Sequence, residues 1–333
     1  MPTYLDLTPE IARQALCQAG FSYAAEALTI DAREERWVVS LPDGRIAWFP
    51  ASPAGARRLA VERRVLGVLA ARCSFRAPEV LFVSNSGFDL RRMVPGRCDP
   101  WGLYRRCQAD SGLVQKTGRS IGQILAEQHT QIVETDAAGW LPQQVPWPEA
   151  GTWIRERLPR VVADHGLIRG LGEVIDRYEG MPVAARDRAL VHGDLGLHNL
   201  ALDPETDAVN GVFDYDGAAW ADRHHDFRYL LFDVGREDML DAALEVYEPA
   251  VGRRLDRDRI RLYNAACAWG ISANLRPRSR LHSIAGAPLL LCRQTRFCYG
   301  TATSRSGTGG SQTRCWRGES AANSSLKIPK IPC

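Results

Sequence analysis

Lysine is almost missing from this chain of 333 residues. Only Lys116, Lys327 and Lys330 occur, and every other basic side chain is arginine. No uninterrupted apolar stretch approaches the roughly 20 residues of a membrane-spanning helix, so no membrane partner is expected. The N-terminus lacks a basic segment followed by an apolar core, which argues against a secretory leader and for a cytoplasmic location. No Cys-x-x-Cys pair is present and the nine cysteines are odd in number, so free thiols in a reducing compartment are expected rather than a disulfide framework. Acidic residues nearly vanish after residue 275. Residues 276–333 hold ten Lys and Arg but only Glu319, for +9, against a net +3 for the whole chain. The remaining body carries −6. That mildly acidic body excludes a nucleic-acid polymer as the expected partner and suits a cationic small substrate.

The apolar fraction, 45%, is ample for a core. Thr8 and Pro9 open a helical pattern that Gly20 ends. Strand-like runs follow at Ala27–Ile30, Trp37–Leu41 and Arg45–Phe49, the last two joined by the turn Pro42-Asp43-Gly44. A helix is expected over 55–72, then strands at Glu79–Val83 and Phe88–Met93. Residues 1–95 thus read as a small lobe with an antiparallel sheet, and 96–275 as a helical lobe. The helices of that second lobe are expected at 117–130, 148–163, 168–179, 226–234, 237–247 and 257–270. A non-helical island from Ala189 to Phe213 interrupts them. Periodicity stops near 275, and 276–333 reads as a poorly ordered basic tail, native or frameshifted.

The island carries the chemistry. It reads Leu190-Val191-His192-Gly193-Asp194-Leu195-Gly196-Leu197-His198-Asn199-Leu200, and Val212-Phe213-Asp214-Tyr215-Asp216-Gly217 follows, with Asp214 fifteen residues after Asn199. Phosphoryl transfer to a hydroxyl explains these residue types. Asp194 can accept the hydroxyl proton or orient the hydroxyl. Asn199 and Asp214 offer a neutral and a charged oxygen to a hard Mg²⁺ ion. His192 fits a role in fixing the loop backbone around Asp194. Asp216 reads as a turn acid, His198 as filling a variable loop position, and His224 and His225 as surface or packing residues.

His192-Gly193-Asp194 with Asn199, then Phe213-Asp214-Tyr215, resembles the aminoglycoside phosphotransferase family. The resemblance implies an α+β, two-lobed, protein-kinase-like fold with a small antiparallel-sheet lobe and a mainly helical lobe. It implies ATP or GTP as donor, Mg²⁺, and a small-molecule hydroxyl acceptor, aminoglycoside-like or another amino or sugar alcohol. Asp226 is similar to that family's downstream acid, which braces the catalytic loop. Glu62 resembles its small-lobe helix glutamate, and Gly118–His129 its first large-lobe helix. The family anchors nucleotide phosphates with a small-lobe lysine. Here Trp48 stands in that place, no lysine precedes Lys116, and no Gly-x-Gly-x-x-Gly occurs in the small lobe. Arg33, Arg36 and Arg45 are substitute cations among which the sequence does not select; Glu62 and Arg45 stand as the nucleotide-binding candidates. The strand-end pair Arg91–Arg92 reads as solvated unless it borders the nucleotide cleft. A non-catalytic kinase-like binding protein is the alternative that the missing lysine raises. A metal-dependent hydrolase, suggested by four of seven histidines falling in 192–225, is a third reading. A monomer is the default.

Overall fold

A computed structural model describes residues 6–33 and 35–274. The expected poor order of 276–333 lies outside the described residues. The N-terminal helix α1 (Pro9–Gln18) starts where Thr8 Oγ1 accepts the Ile11 amide at 3.3 Å, with proline at its first position. Five strands follow, β1 (Thr29–Ala32), β2 (Arg36–Ser40), β3 (Arg45–Pro50), β4 (Glu79–Val83) and β5 (Asp89–Arg92), with helix α2 (Pro53–Arg72) between β3 and β4. They form one antiparallel sheet in the order β1-β2-β3-β5-β4.

Strand periodicity divides this sheet into two unlike faces. Val39, Ala47, Phe49 and Leu90 pack with Ala12 and Leu16 of α1. Val38, Trp48 and Ile46 turn to the other side and meet Leu59 of α2. Arg36, Asp89 and Arg91 share the parity of that second face. It therefore carries charge as well as an apolar seam.

The rest of the chain is mostly helical. Helix α3 (Pro100–Ala109) precedes α4 (Ser111–Gln131), a short α5 (Glu134–Ala137), α6 (Gly151–Arg157) and α7 (His165–Glu179). The island contains β6 (Arg188–Val191), β7 (Leu200–Leu202), β8 (Val209–Val212) and β9 (Ala219–Asp222), followed by α8 (Arg228–Phe232), α9 (Glu237–Val251) and α10 (Arg257–Asn274). Strand β6 pairs with β9, and β7 with β8, both antiparallel. The core of this lobe joins α4, α9 and the island strands, and it continues without a break into Val65, Leu66 and Leu69 of α2.

The linker between the lobes and the α2–β4 connection are both laced to the β7–β8 hairpin. Arg97 and Leu202 exchange backbone hydrogen bonds of 2.8 Å, and the Val212 amide donates to the Arg76 carbonyl at 3.1 Å. The hinge thus abuts the strands that carry the polar loop. Among the described residues, no helix is long and apolar enough to cross a membrane.

Three elements are absent from the sequence reading: α3, the single turn α5, and β9. Helix α3 hides in Asp99-Pro100-Trp101-Gly102, which resembles a turn. Its start was nonetheless encoded, because Asp99 Oδ1 accepts the Gly102 amide at 2.9 Å and Pro100 holds the first helical position. Strand β9 is a four-residue run whose pairing with β6 is nonlocal, so no local pattern announces it.

Candidate active site

The loop 192–199 leaves β6 and is held from beneath by one buried acid. Asp226 accepts the amides of His192 at 2.9 Å and Gly193 at 3.0 Å. The same carboxylate accepts from His129 Nε2 at 3.1 Å. Burial opposes the charge of Asp226, but His129, His192 and the Gly193 amide outweigh it and hold the carboxyl below its usual range. Burial keeps His129 on the neutral side, its pKa lowered despite Asp226. A neutral ring that donates from Nε2 must accept at Nδ1, and the Tyr247 hydroxyl lies there at 2.9 Å. Arg223 donates to that hydroxyl in turn at 3.1 Å. The loop thus sits on a satisfied chain running Arg223–Tyr247–His129–Asp226.

His192 is fully buried and links the loop to the strand that delivers Asp214. Its Nδ1 accepts the Asp194 amide at 3.3 Å, and its Nε2 donates to the Phe213 carbonyl at 3.0 Å. The Phe213 amide meanwhile donates to the Asn199 carbonyl at 3.1 Å. Two connections therefore fix Asp194, Asn199 and Asp214 relative to one another. His192 does this without facing the cleft, as a positioning residue.

Asp194 keeps part of its carboxylate exposed, with a side-chain exposure of 30%. The Tyr229 hydroxyl donates to one oxygen, and His198 Nε2 donates to the other at 3.2 Å. Asn199 Nδ2 donates to the Asp194 carbonyl at 2.8 Å. Burial pushes Asp194 toward the neutral acid, but the His198 and Tyr229 hydrogen bonds prevail and hold it ionised, below the usual carboxylate range. His198 moves the opposite way: burial works against its charge, but Asp194, Asp233 and Asp214 raise its pKa. Beside them, burial pushes the Asp233 carboxyl up to about 6, even as it accepts the Leu197 amide at 2.6 Å. His198 is therefore no filler of a variable position. It has room because residue 196 is glycine: a Cβ there would lie 2.4 Å from the imidazole.

Asp214 follows β8 in a left-handed conformation, φ 67°, which turns its carboxylate toward the small lobe. Arg36 Nη2 meets it at 2.7 Å. Asp216 faces the same cleft, where Arg58 binds it and Arg36 Nη1 lies 3.4 Å away. Glu62, buried on α2, pairs with Arg91 Nη1 at 2.9 Å and with Arg36 Nη1 at 3.7 Å. Burial raises the Glu62 pKa, against the opposing pull of those two arginines.

Arg45 is not brought to this cluster. It lies on the α1 face of the sheet by parity with Ala47 and Phe49, and it binds Asp43 and the Tyr23 hydroxyl beside the hairpin turn. Arg91 also departs from the sequence reading. It is buried and paired with Glu62 and Asp89, whereas only Arg92 is a solvated strand end, paired with Glu79. Alternation was the missed signal: Asp89-Leu90-Arg91 places opposite charges on one strand face two residues apart.

Hard oxygen donors suit a divalent cation here. Asn199, with Nδ2 committed to Asp194, retains Oδ1 for a cation, and the Asp214 carboxylate already holds a guanidinium where positive charge belongs. The donor set fits Mg²⁺. It does not fit the hydrolase reading: among the described residues, no three His, Cys, Asp or Glu side chains gather as a metal-binding group. His224 instead binds Asp222 through Nδ1 at 2.6 Å, and His225 stacks on Tyr263 at 4.3 Å.

The comparisons with known proteins agree with this architecture. A streptomycin 3''-kinase from Streptomyces griseus is 37% identical over 84 residues, 24% of this chain and 30% of that protein. A probable aminoglycoside 3'-phosphotransferase from Lactococcus lactis is 32% identical over 108 residues, 31% of this chain. That alignment spans 39% of the relative's length. The GDP complex of wild-type aminoglycoside 2'-phosphotransferase-IIIa superposes with a TM-score of 0.65 at 19% identity, covering 87% of this chain and 98% of that one. An apo macrolide 2'-phosphotransferase from Brachybacterium faecium gives 0.58 at 19% identity, covering 89% of this chain and 100% of that one. The two-lobed fold expected from the resemblance is thus the fold observed. The pattern of the phosphotransferase enzyme family runs through residues 20–263, from the small-lobe sheet through the loop and hairpin to α10, and the chain belongs to that family.

Proposed function

We propose that this protein transfers the γ-phosphoryl group of ATP or GTP to a hydroxyl of a small molecule, an aminoglycoside or another amino or sugar alcohol. The observation that carries the reading is Asp194: a carboxylate held ionised, partly exposed, and tied through His192 and Phe213 to the aspartate beyond β8. Asp194 orients the acceptor hydroxyl and takes its proton as that oxygen bonds to the γ-phosphorus. The bond from phosphorus to the β–γ bridging oxygen breaks, and the nucleoside diphosphate leaves. Asn199 and Asp214 would hold Mg²⁺, which when bound neutralises phosphate charge. Glu62 acts at one remove, through the arginines it orients. Aminoglycoside and macrolide acceptors in the names of the relatives, and the acidic body of the chain, support a cationic sugar-like acceptor. A monomer acting in the cytoplasm completes the proposal.

The test is transfer of label from γ-labelled ATP and GTP to a panel of amino sugars and macrolides, with the wild type and Asp194→Ala. Removing the base is expected to lower turnover by about 10²- to 10⁴-fold with nucleotide affinity retained. Transfer undiminished in the variant would overturn the assignment of Asp194. Nucleotide binding by the wild type with no transfer to any acceptor would favour the non-catalytic reading.

A further inference from the structure

We infer that Arg36, delivered from β2, is the cation that grips the nucleotide phosphates in place of the absent β3 lysine. The inference rests on the nucleotide reading of the cleft and names the residue that makes it work.

The β3 position is filled by Trp48, and its indole has become the platform for two guanidinium groups. The Arg36 guanidinium lies 4.3 Å from the ring centroid and that of Arg91 lies 5.3 Å away. Stacking of this kind orients an arginine that would otherwise be free to wander. The two arginines then divide the work. Arg91 pairs with Glu62 and Asp89, and with 1% of its side chain exposed it is closed off from a ligand in the cleft. Arg36 is 15% exposed and reaches from Glu62 at 3.7 Å to Asp214 at 2.7 Å, which spans the interval between the helix carboxylate and the metal-side aspartate.

Arg36 also lines a cavity of about 250 Å³, together with Arg33, Glu35, Arg58, Leu59 and Asp216. Three arginines against the carboxylates of Glu35 and Asp216 leave the lining net positive, which suits an anionic ligand. Of the three, Arg36 alone also contacts both Glu62 and Asp214, while Arg58 is committed to Asp216 nearer the surface. The other cation considered from sequence, Arg45, lies across the sheet. A guanidinium offers five N–H donors, so Arg36 can hold a phosphate oxygen and a carboxylate together.

The experiment is calorimetric titration of the full chain with ATP, GTP and adenosine in the presence of Mg²⁺, on wild type, Arg36→Met, Arg36→Lys and Arg45→Met. Loss of charged hydrogen bonds to phosphate is expected to weaken triphosphate binding by about 10- to 100-fold in Arg36→Met. Adenosine, which lacks phosphate, should bind as in the wild type, and Arg45→Met should bind triphosphate within about twofold. Should Arg36→Met fail to fold, Arg36→Lys keeps a cation and is expected to lose part of the triphosphate affinity and none of the adenosine affinity. Triphosphate binding unchanged in the folded Arg36 variants, or equal losses for adenosine and triphosphate, would overturn the assignment. Absence of any nucleotide binding in the wild type would overturn the reading of the cleft itself, a distinguishable result.

Discussion

His225 provides a measurable test of the packing around the helical turn 223–227, which follows β9 and carries Asp226 beneath the 192–199 loop. It lies buried at 4% exposure, stacked on Tyr263, with its Nε2 3.4 Å from the Tyr178 hydroxyl. Burial, reinforced by the nearby Arg228 charge, depresses its pKa from 6.5 to about 3. Between those values the unfolded chain binds a proton that the folded chain refuses. The stabilisation is therefore complete above pH 6.5 and is lost as the pH falls toward 3. Each pH unit in that window is worth about 1.4 kcal/mol, so the full span has a ceiling of about 5 kcal/mol. Replacing His225 with phenylalanine keeps a ring against Tyr263 and removes the titration. His129, depressed like His225, and Asp233, raised to about 6, both tilt the wild-type curve, in opposite senses. Both remain in the variant and cancel in the difference. Urea unfolding followed by circular dichroism should show wild type losing stability relative to His225→Phe by about 2 kcal/mol between about pH 6.5 and about pH 4.5. Parallel stability curves over that range would refute the reasoning.

Three glycines make further predictions. In α4 a Cβ at residue 122 would lie 2.3 Å from the Ala243 carbonyl oxygen of α9, a backbone atom with little freedom to yield. Gly122→Ala should destabilise by about 1–3 kcal/mol in urea titration, while Gly172→Ala, facing open space in α7, should be neutral or stabilising by up to about 1 kcal/mol. Gly196→Ala should push the His198 ring off Asp194, lowering kcat about tenfold with nucleotide affinity unchanged and moving the acid limb of the kcat profile to higher pH as Asp194 loses a hydrogen bond.

Much of the site was legible because its parts lie close together in the chain. His192, Asp194, Asn199 and Asp214 all sit on one loop and one hairpin, and their hydrogen bonds run between residues a few to about twenty positions apart. The hairpin at Asp43-Gly44 and the capped start of α1 were legible for the same reason. What the sequence concealed is nonlocal. Arg36 meets Asp214 across 178 positions, and Arg58 meets Asp216 across 158. Strand parity could have separated Arg45 from Arg36, since the two lie on opposite sheet faces, but only with the knowledge of which face α2 covers. Tyr229 on α8 went unread, and His198 was read as filling a loop position, because a hydroxyl or imidazole gains meaning only from the carboxylate it reaches.

The helix that carries Glu62 has little freedom to swing. Its inward side chains Val65, Leu66 and Leu69 belong to the core of the large lobe, Arg64 covers the ring of Trp140 at 4.2 Å, and Arg72 pairs with Asp136 at 2.9 Å. Exposing those three side chains alone would require about 5–9 kcal/mol. Fewer than about one molecule in a thousand would then hold the helix outward. The ion pairs that join Glu62 to Arg36 and Arg91 thus ride on a helix that the large lobe holds in place.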